Sequence, residues 1–199
     1  MKTSTILMTC ILALSVWGIL PMPAGSADST LVTRVVDGDT LVIQFNGHEE
    51  KVRLIGVDTP ELHESQKLHR DAQRSGQDTA TIQALGRQAS DFVKILVRSK
   101  DRISLEYDQQ QRDKYGRLLA FVWLADGRML NEVIICEGYA PALTRYPFRR
   151  DYMERFRTCA QQARAAGKGL WTTEPAASTS PSPLAREDTR RSGAREPPQ

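Results

Sequence analysis

The stretch LVTRVVDGDTLVIQFNGHEEKVRLIGV, residues 31–57, decides the fold. It reads as strands over Leu31–Val36, Thr40–Phe45 and Lys51–Val57, separated by Asp37-Gly38 and Asn46-Gly47. Apolar residues at strand spacing mark such segments, and both dipeptides favour tight hairpin turns, so three consecutive antiparallel strands are expected. A polar stretch follows from Leu62 to Thr81, rich in Gln, Arg, His and Ser. Leu85, Ala89, Phe92, Val93 and Leu96 then fall at helical spacing and predict one amphipathic helix. Arg102–Tyr107 and Leu118–Leu124 read as two more strands. Leu130, Val133 and Ile134 mark a short helix, and Tyr152, Phe156, Cys159, Ala160 and Ala163 a longer one ending near Gly167 or Gly169. Five short strands with helices interposed and appended suit an α+β fold, a five-stranded OB-fold β-barrel with three helices.

The flanks differ from this domain in composition. Residues 1–27 hold Lys2, an apolar run from Ile6 to Leu20, Pro21, Pro23 and the small residues Gly25, Ser26 and Ala27. That is the anatomy of a signal peptide, and the run falls short of the roughly 20 residues that span a bilayer. Residues 173–199 offer Pro, Ser, Thr, Ala and mixed charges with hardly an apolar side chain, which cannot offset the entropy of ordering and reads as a disordered tail. The expectation is an exported monomer, periplasmic or extracellular, with a domain over residues 28–172 and no stable membrane association once the signal is cleaved. Cys136 and Cys159 then lie in an oxidising compartment, where a disulfide and two packed thiols both remain open. At 40% hydrophobic and 26% charged residues, the chain is neither collagen-like nor wholly disordered. Its net charge of +3 is too small to indicate a polyanion partner without motifs.

Three segments carry chemistry. Asp37-Gly38-Asp39-Thr40 places two carboxylates at a turn, which suits a hard cation, but Asp-Gly is also a common hairpin turn. Arg53-Leu54-Ile55-Gly56-Val57-Asp58-Thr59-Pro60-Glu61 ends a strand with two acids and a threonine around a proline. Thr59 could instead cap a helix, with Pro60 at its first position. Arg53 and Asp58 would also point to opposite faces of a regular strand, about 16 Å apart, and share a site only if the chain bends, for which Gly56 is placed. Arg112-Asp113-Lys114-Tyr115-Gly116-Arg117 reads equally as a solvated turn or as a guanidinium for phosphate and a ring for base stacking.

Together, DGDT, then R-x4-DTPE, then DKYGR, then a helix-rich end at GLW resemble the thermonuclease family, the micrococcal nuclease-like domain, over Thr30 to Trp171. The resemblance implies an OB-fold phosphodiesterase that uses Ca2+ and takes DNA and RNA as substrates. Matched position by position, Asp39 and Asp58 would hold the calcium with the Thr59 carbonyl. Glu61 would be the general base, Arg53 and Arg117 would clamp the phosphate, and Tyr115 and Tyr146 would line the nucleotide pocket. Asp37 would be a turn residue behind the metal. One departure stands out: the segment from Leu62 to Ala84 is longer than the corresponding loop of short family members. A noncatalytic OB-type module for single-stranded nucleic acid and an extracellular protein with a structural calcium site are the competing readings.

Overall fold

The computed structural model describes residues 28–172. The expected signal peptide and tail lie outside them. Five strands, β1 (Asp28–Asp37), β2 (Thr40–Phe45), β3 (His48–Leu54), β4 (Arg102–Glu106) and β5 (Leu118–Leu124), close into a barrel in the order β1-β2-β3-β5-β4. All pairings are antiparallel except β3 with β5. Closure depends on β1 serving two neighbours: Asp28–Leu31 pair with β4, and Leu31–Asp37 with β2. Its register against β2 shifts between Val32 and Arg34 and again between Val35 and Asp37. Such bulges bend and twist a strand, which is what turning from one neighbour to the next requires.

Asn46-Gly47 makes the β2–β3 turn with φ values of 48° and 81°, as the dipeptide predicts. The β1–β2 turn differs from the reading. Asp37 pairs with Thr40, so the turn residues are Gly38 and Asp39. Gly38 is there for space: a Cβ would come within 2.7 Å of Thr59 Cγ2 and 3.0 Å of Ala89 Cβ.

Inside the barrel lie Leu41, Ile43, Val52, Leu54, Ile103, Leu105, Ala120 and Val122, all essentially inaccessible to water. Each large side chain so buried contributes about 1.5–3 kcal/mol. Four α-helices surround the barrel: α1 (Gln66–Ser75), α2 (Thr79–Leu96), α3 (Leu130–Cys136) and α4 (Arg150–Ala165). The fourth helix beyond the expected three is α1, inside the segment read as polar loop. It has ends but almost no apolar face: Ser65 caps it by accepting the Leu68 N–H, Gly76 closes it at φ 71°, and Leu68 is its one buried residue. α2 starts at an Asp78 cap and buries Ile82, Gly86, Ala89, Ser90 and Val93. Phe121 of β5 meets Phe148, Tyr152 and Phe156 at centroid distances of 5.8, 4.7 and 6.3 Å, packing α4 on the barrel. A disulfide joins Cys136 of α3 to Cys159 of α4.

Candidate active site

The strand that carries Arg53 ends at Leu54, and the chain then bends at Gly56, whose φ is 76°. A side chain there would be strained by that φ and would meet Phe148 and Phe156 at 2.8 Å, so the bend needs glycine. Its effect is to bring Asp58 back to Arg53. The guanidinium donates from Nη1 to the Val57 carbonyl at 2.8 Å and from Nη2 to Asp58 Oδ1 at 3.3 Å. Nη1 also lies 2.8 Å from Asp39 Oδ2. Arg53 thus ties both acids into one cluster.

Asp39 is buried and held at both carboxylate oxygens. Oδ1 accepts the Thr40 hydroxyl at 3.0 Å, and Oδ2 accepts both the N–H and the hydroxyl of Thr59, at 3.0 and 3.1 Å. Its own N–H donates to Asp37 Oδ1 at 3.0 Å. Burial, with the Asp39 carboxylate beside it, pushes Asp37 up to about 7. Thr59 does not cap a helix, since α1 begins seven residues later; residues 58–61 are irregular chain wedged against α2. A Cβ on Gly86 of α2 would come within 2.7 Å of the Pro60 carbonyl oxygen and 2.8 Å of that of Glu61.

Glu61 reaches the cluster through Lys67, on which the sequence reading placed no role. The Lys67 ammonium lies 2.9 Å from Glu61 Oε1, 3.3 Å from Asp58 Oδ1 and 3.5 Å from Asp71 Oδ2, and donates to the Thr59 carbonyl at 3.4 Å. Burial disfavours its charge, but Asp58, Glu61 and Asp71 outweigh that and raise its proton affinity above the ordinary lysine value. Three carboxylates and a main-chain carbonyl therefore converge on one cation, with Asp39 linked to them through Arg53 and Thr59. Carboxylate and carbonyl oxygens are the donor set of a hard divalent ion, so the residues present fit one.

Beside the cluster opens a cleft of about 820 Å³, lined by Arg53, Asp58, Lys67, Tyr115, Arg117 and Tyr146 among others. Asp39, Thr59 and Glu61 are not in its lining and meet it through Arg53 and Lys67. Arg117 is aimed by Asp113, whose Oδ2 accepts its Nε at 2.7 Å and pairs with Nη2 at 2.6 Å, while Oδ1 accepts the N–H groups of Tyr115 and Arg117. Burial pushes Asp113 up, but Arg117 and the two N–H groups outweigh it and hold the carboxyl below its usual range. Tyr115 and Tyr146 stand 72% and 62% exposed, with Arg117 and Arg145 over their rings at 5.6 and 5.0 Å. Asn131 of α3, also passed over in the sequence, pins the Gly56 bend from behind. Fully buried, it accepts the Val122 N–H at 2.9 Å and donates to the carbonyls of Ile55 and Ala120 at 2.9 and 3.3 Å.

A family model described as staphylococcal nuclease homologue matches residues 51–173. The thermonuclease of Staphylococcus hyicus is 37% identical over 141 residues, 71% of this chain and 74% of that protein. The thermonuclease of Staphylococcus intermedius is 38% identical over 144 residues, 72% and 76% of the two chains. Endonuclease YncB of Bacillus subtilis is 34% identical over 140 residues, 70% of this chain and 59% of its own.

Proposed function

Since the chain belongs to the family of staphylococcal nuclease homologues and is a phosphodiesterase that hydrolyses nucleic acids, we propose that it is an exported, calcium-dependent endonuclease acting on DNA and RNA. The observation that carries this reading is the convergence of Asp58, Glu61 and the Thr59 carbonyl on one positive charge, next to a cleft walled by arginines and tyrosines. Asp39, Asp58 and the Thr59 carbonyl would hold calcium, which supplies charge for the phosphate oxygens when bound.

The chain's own groups do the rest. A phosphodiester is an anion, and charge grows on its equatorial oxygens as water attacks. Arg53 and Arg117 line the cleft as permanent cations whose planar forks match those oxygens. Glu61 takes the proton of the attacking water. A general base supplies only about 10² to 10⁴ in rate, so the remainder falls to positioning and electrostatics. Tyr115 and Tyr146 offer rings to the bases or sugars of the strand. Export is supported by the apolar leader in residues 1–27 and by the Cys136–Cys159 disulfide, a bond that persists in oxidising compartments.

The test is digestion of plasmid DNA and of RNA by the purified protein with calcium, with chelator, and with Glu61→Gln in parallel. Calcium-dependent degradation lost on the substitution is expected. A folded protein that binds DNA without cutting it would return the chain to a noncatalytic OB-type module.

A further inference from the structure

Lys67 stands where a metal ion would be most useful. Its ammonium has four oxygens within 3.5 Å, from Glu61, Asp58, Thr59 and Asp71, and its side chain is only 30% exposed. Two of those oxygens, from Asp58 and Thr59, belong to the calcium set proposed above, and a third belongs to the proposed base. An ammonium and a divalent cation cannot share one set of donors at contact distance, because like charges so close repel strongly in a partly buried site. Without any cation, the acids would repel one another.

We propose that Lys67 is an internal competitor for the metal, neutralising the acid cluster of the metal-free protein and swinging out when the divalent cation binds. The inference rests on the calcium reading. The lysine has somewhere to go: Asp71, one turn along α1, is already 3.5 Å from the ammonium and is itself partly exposed. The helix that carries it buries one residue, Leu68, and packs on α2 rather than on the barrel strands. Two consequences follow. Calcium binding is weakened by the ion pairs it must break, and the base Glu61 stays paired until calcium arrives. The nuclease is therefore held silent where calcium is scarce.

The experiment is calorimetric titration of calcium into the metal-free full chain, Lys67→Met and Lys114→Met, with thermal melting of each in chelator. Lys114 lines the same cleft but makes no ion pair with the acids. Lys67→Met should bind calcium about tenfold more tightly than the unsubstituted protein and melt lower in chelator, whereas Lys114→Met should change affinity less than about twofold, the contrast expected of a short-range rather than a general charge effect. Acetylation of the unsubstituted protein, mapped by mass spectrometry, gives a readout independent of any variant: Lys67 should react faster in calcium than in chelator. Equal or weaker calcium binding by Lys67→Met, or Lys67 reactivity unchanged or reduced by calcium, overturns the inference and leaves the calcium reading standing. Calcium binding to none of the proteins overturns both.

Discussion

The two sides of the cleft are built on opposite principles. On the acid side, Asp39 accepts from Thr40, Thr59 and Arg53, Arg53 spans to Asp58, and glycines at 38, 56 and 86 make room for the Thr59 and Ala89 side chains, the Phe148 and Phe156 rings and the Pro60–Glu61 main chain respectively. On the other side, Tyr115 and Tyr146 project into water with only cationic neighbours over their rings. A group that must meet a reacting phosphate needs its geometry fixed before substrate arrives. A ring that receives a strand of any sequence needs access and tolerates motion. The acid side is therefore where small changes have large chemical effects.

Glu61→Gln tests that claim hardest. Turnover should fall by about 10²–10⁴, the usual contribution of a general base, while the melting temperature changes little. Normal turnover would disqualify Glu61. Arg117→Lys keeps the charge but loses the fork, and should cost most of the turnover, about tenfold to a hundredfold, with affinity less affected. Near-normal turnover would show that Arg117 acts as a simple charge and belongs with the rim. Gly56→Ala attacks the scaffold: a positive φ and two rings at 2.8 Å should cost about 2–4 kcal/mol of stability, read by denaturant unfolding. A loss under about 1 kcal/mol would mean that the bend does not depend on glycine.

What the sequence disclosed follows the same division. Strands, turns and apolar helix faces are written locally, so the barrel, α2, α3 and α4 were legible. Gly38 was legible as a turn residue but not for its reason, because the atoms that exclude a Cβ belong to Thr59 and Ala89, distant along the chain. α1 escaped because periodicity needs an apolar face and Leu68 alone supplies it; the readable signals were its ends, Ser65 and Gly76. Lys67 was hidden with it, since nothing local says that a lysine in a polar stretch will fold onto two acids. Asn131 is legible by a different signal: a polar residue at the start of an apolar helix must find buried partners or face water.

The rim should respond more gently. Tyr115→Ala should raise KM by about tenfold if one base stacks there, since such contacts are worth about 1–3 kcal/mol, and leave kcat within a factor of about three. A collapse of kcat instead would move Tyr115 to the acid side of the comparison.

Asp113 tests the boundary between the two sides, because it belongs to the exposed loop yet aims Arg117, the arginine proposed to clamp the phosphate. Its carboxyl is held below the usual range, so the native state releases this proton more readily than the unfolded chain does. The stability it contributes is therefore complete above the unfolded value of about 4 and is lost as pH falls through the lower native value. Asp113→Asn should be slightly less stable than the unsubstituted protein at pH 7, and the gap should shrink when both are unfolded at successively lower pH below the unfolded carboxyl value. An asparagine oxygen can still accept the N–H groups of Tyr115 and Arg117, so what the variant loses is the charged pair with Arg117. Its turnover should consequently suffer more than its stability. A stability gap that stays constant with pH would show that the hydrogen-bonded turn, and not the carboxylate charge, holds the arginine in place.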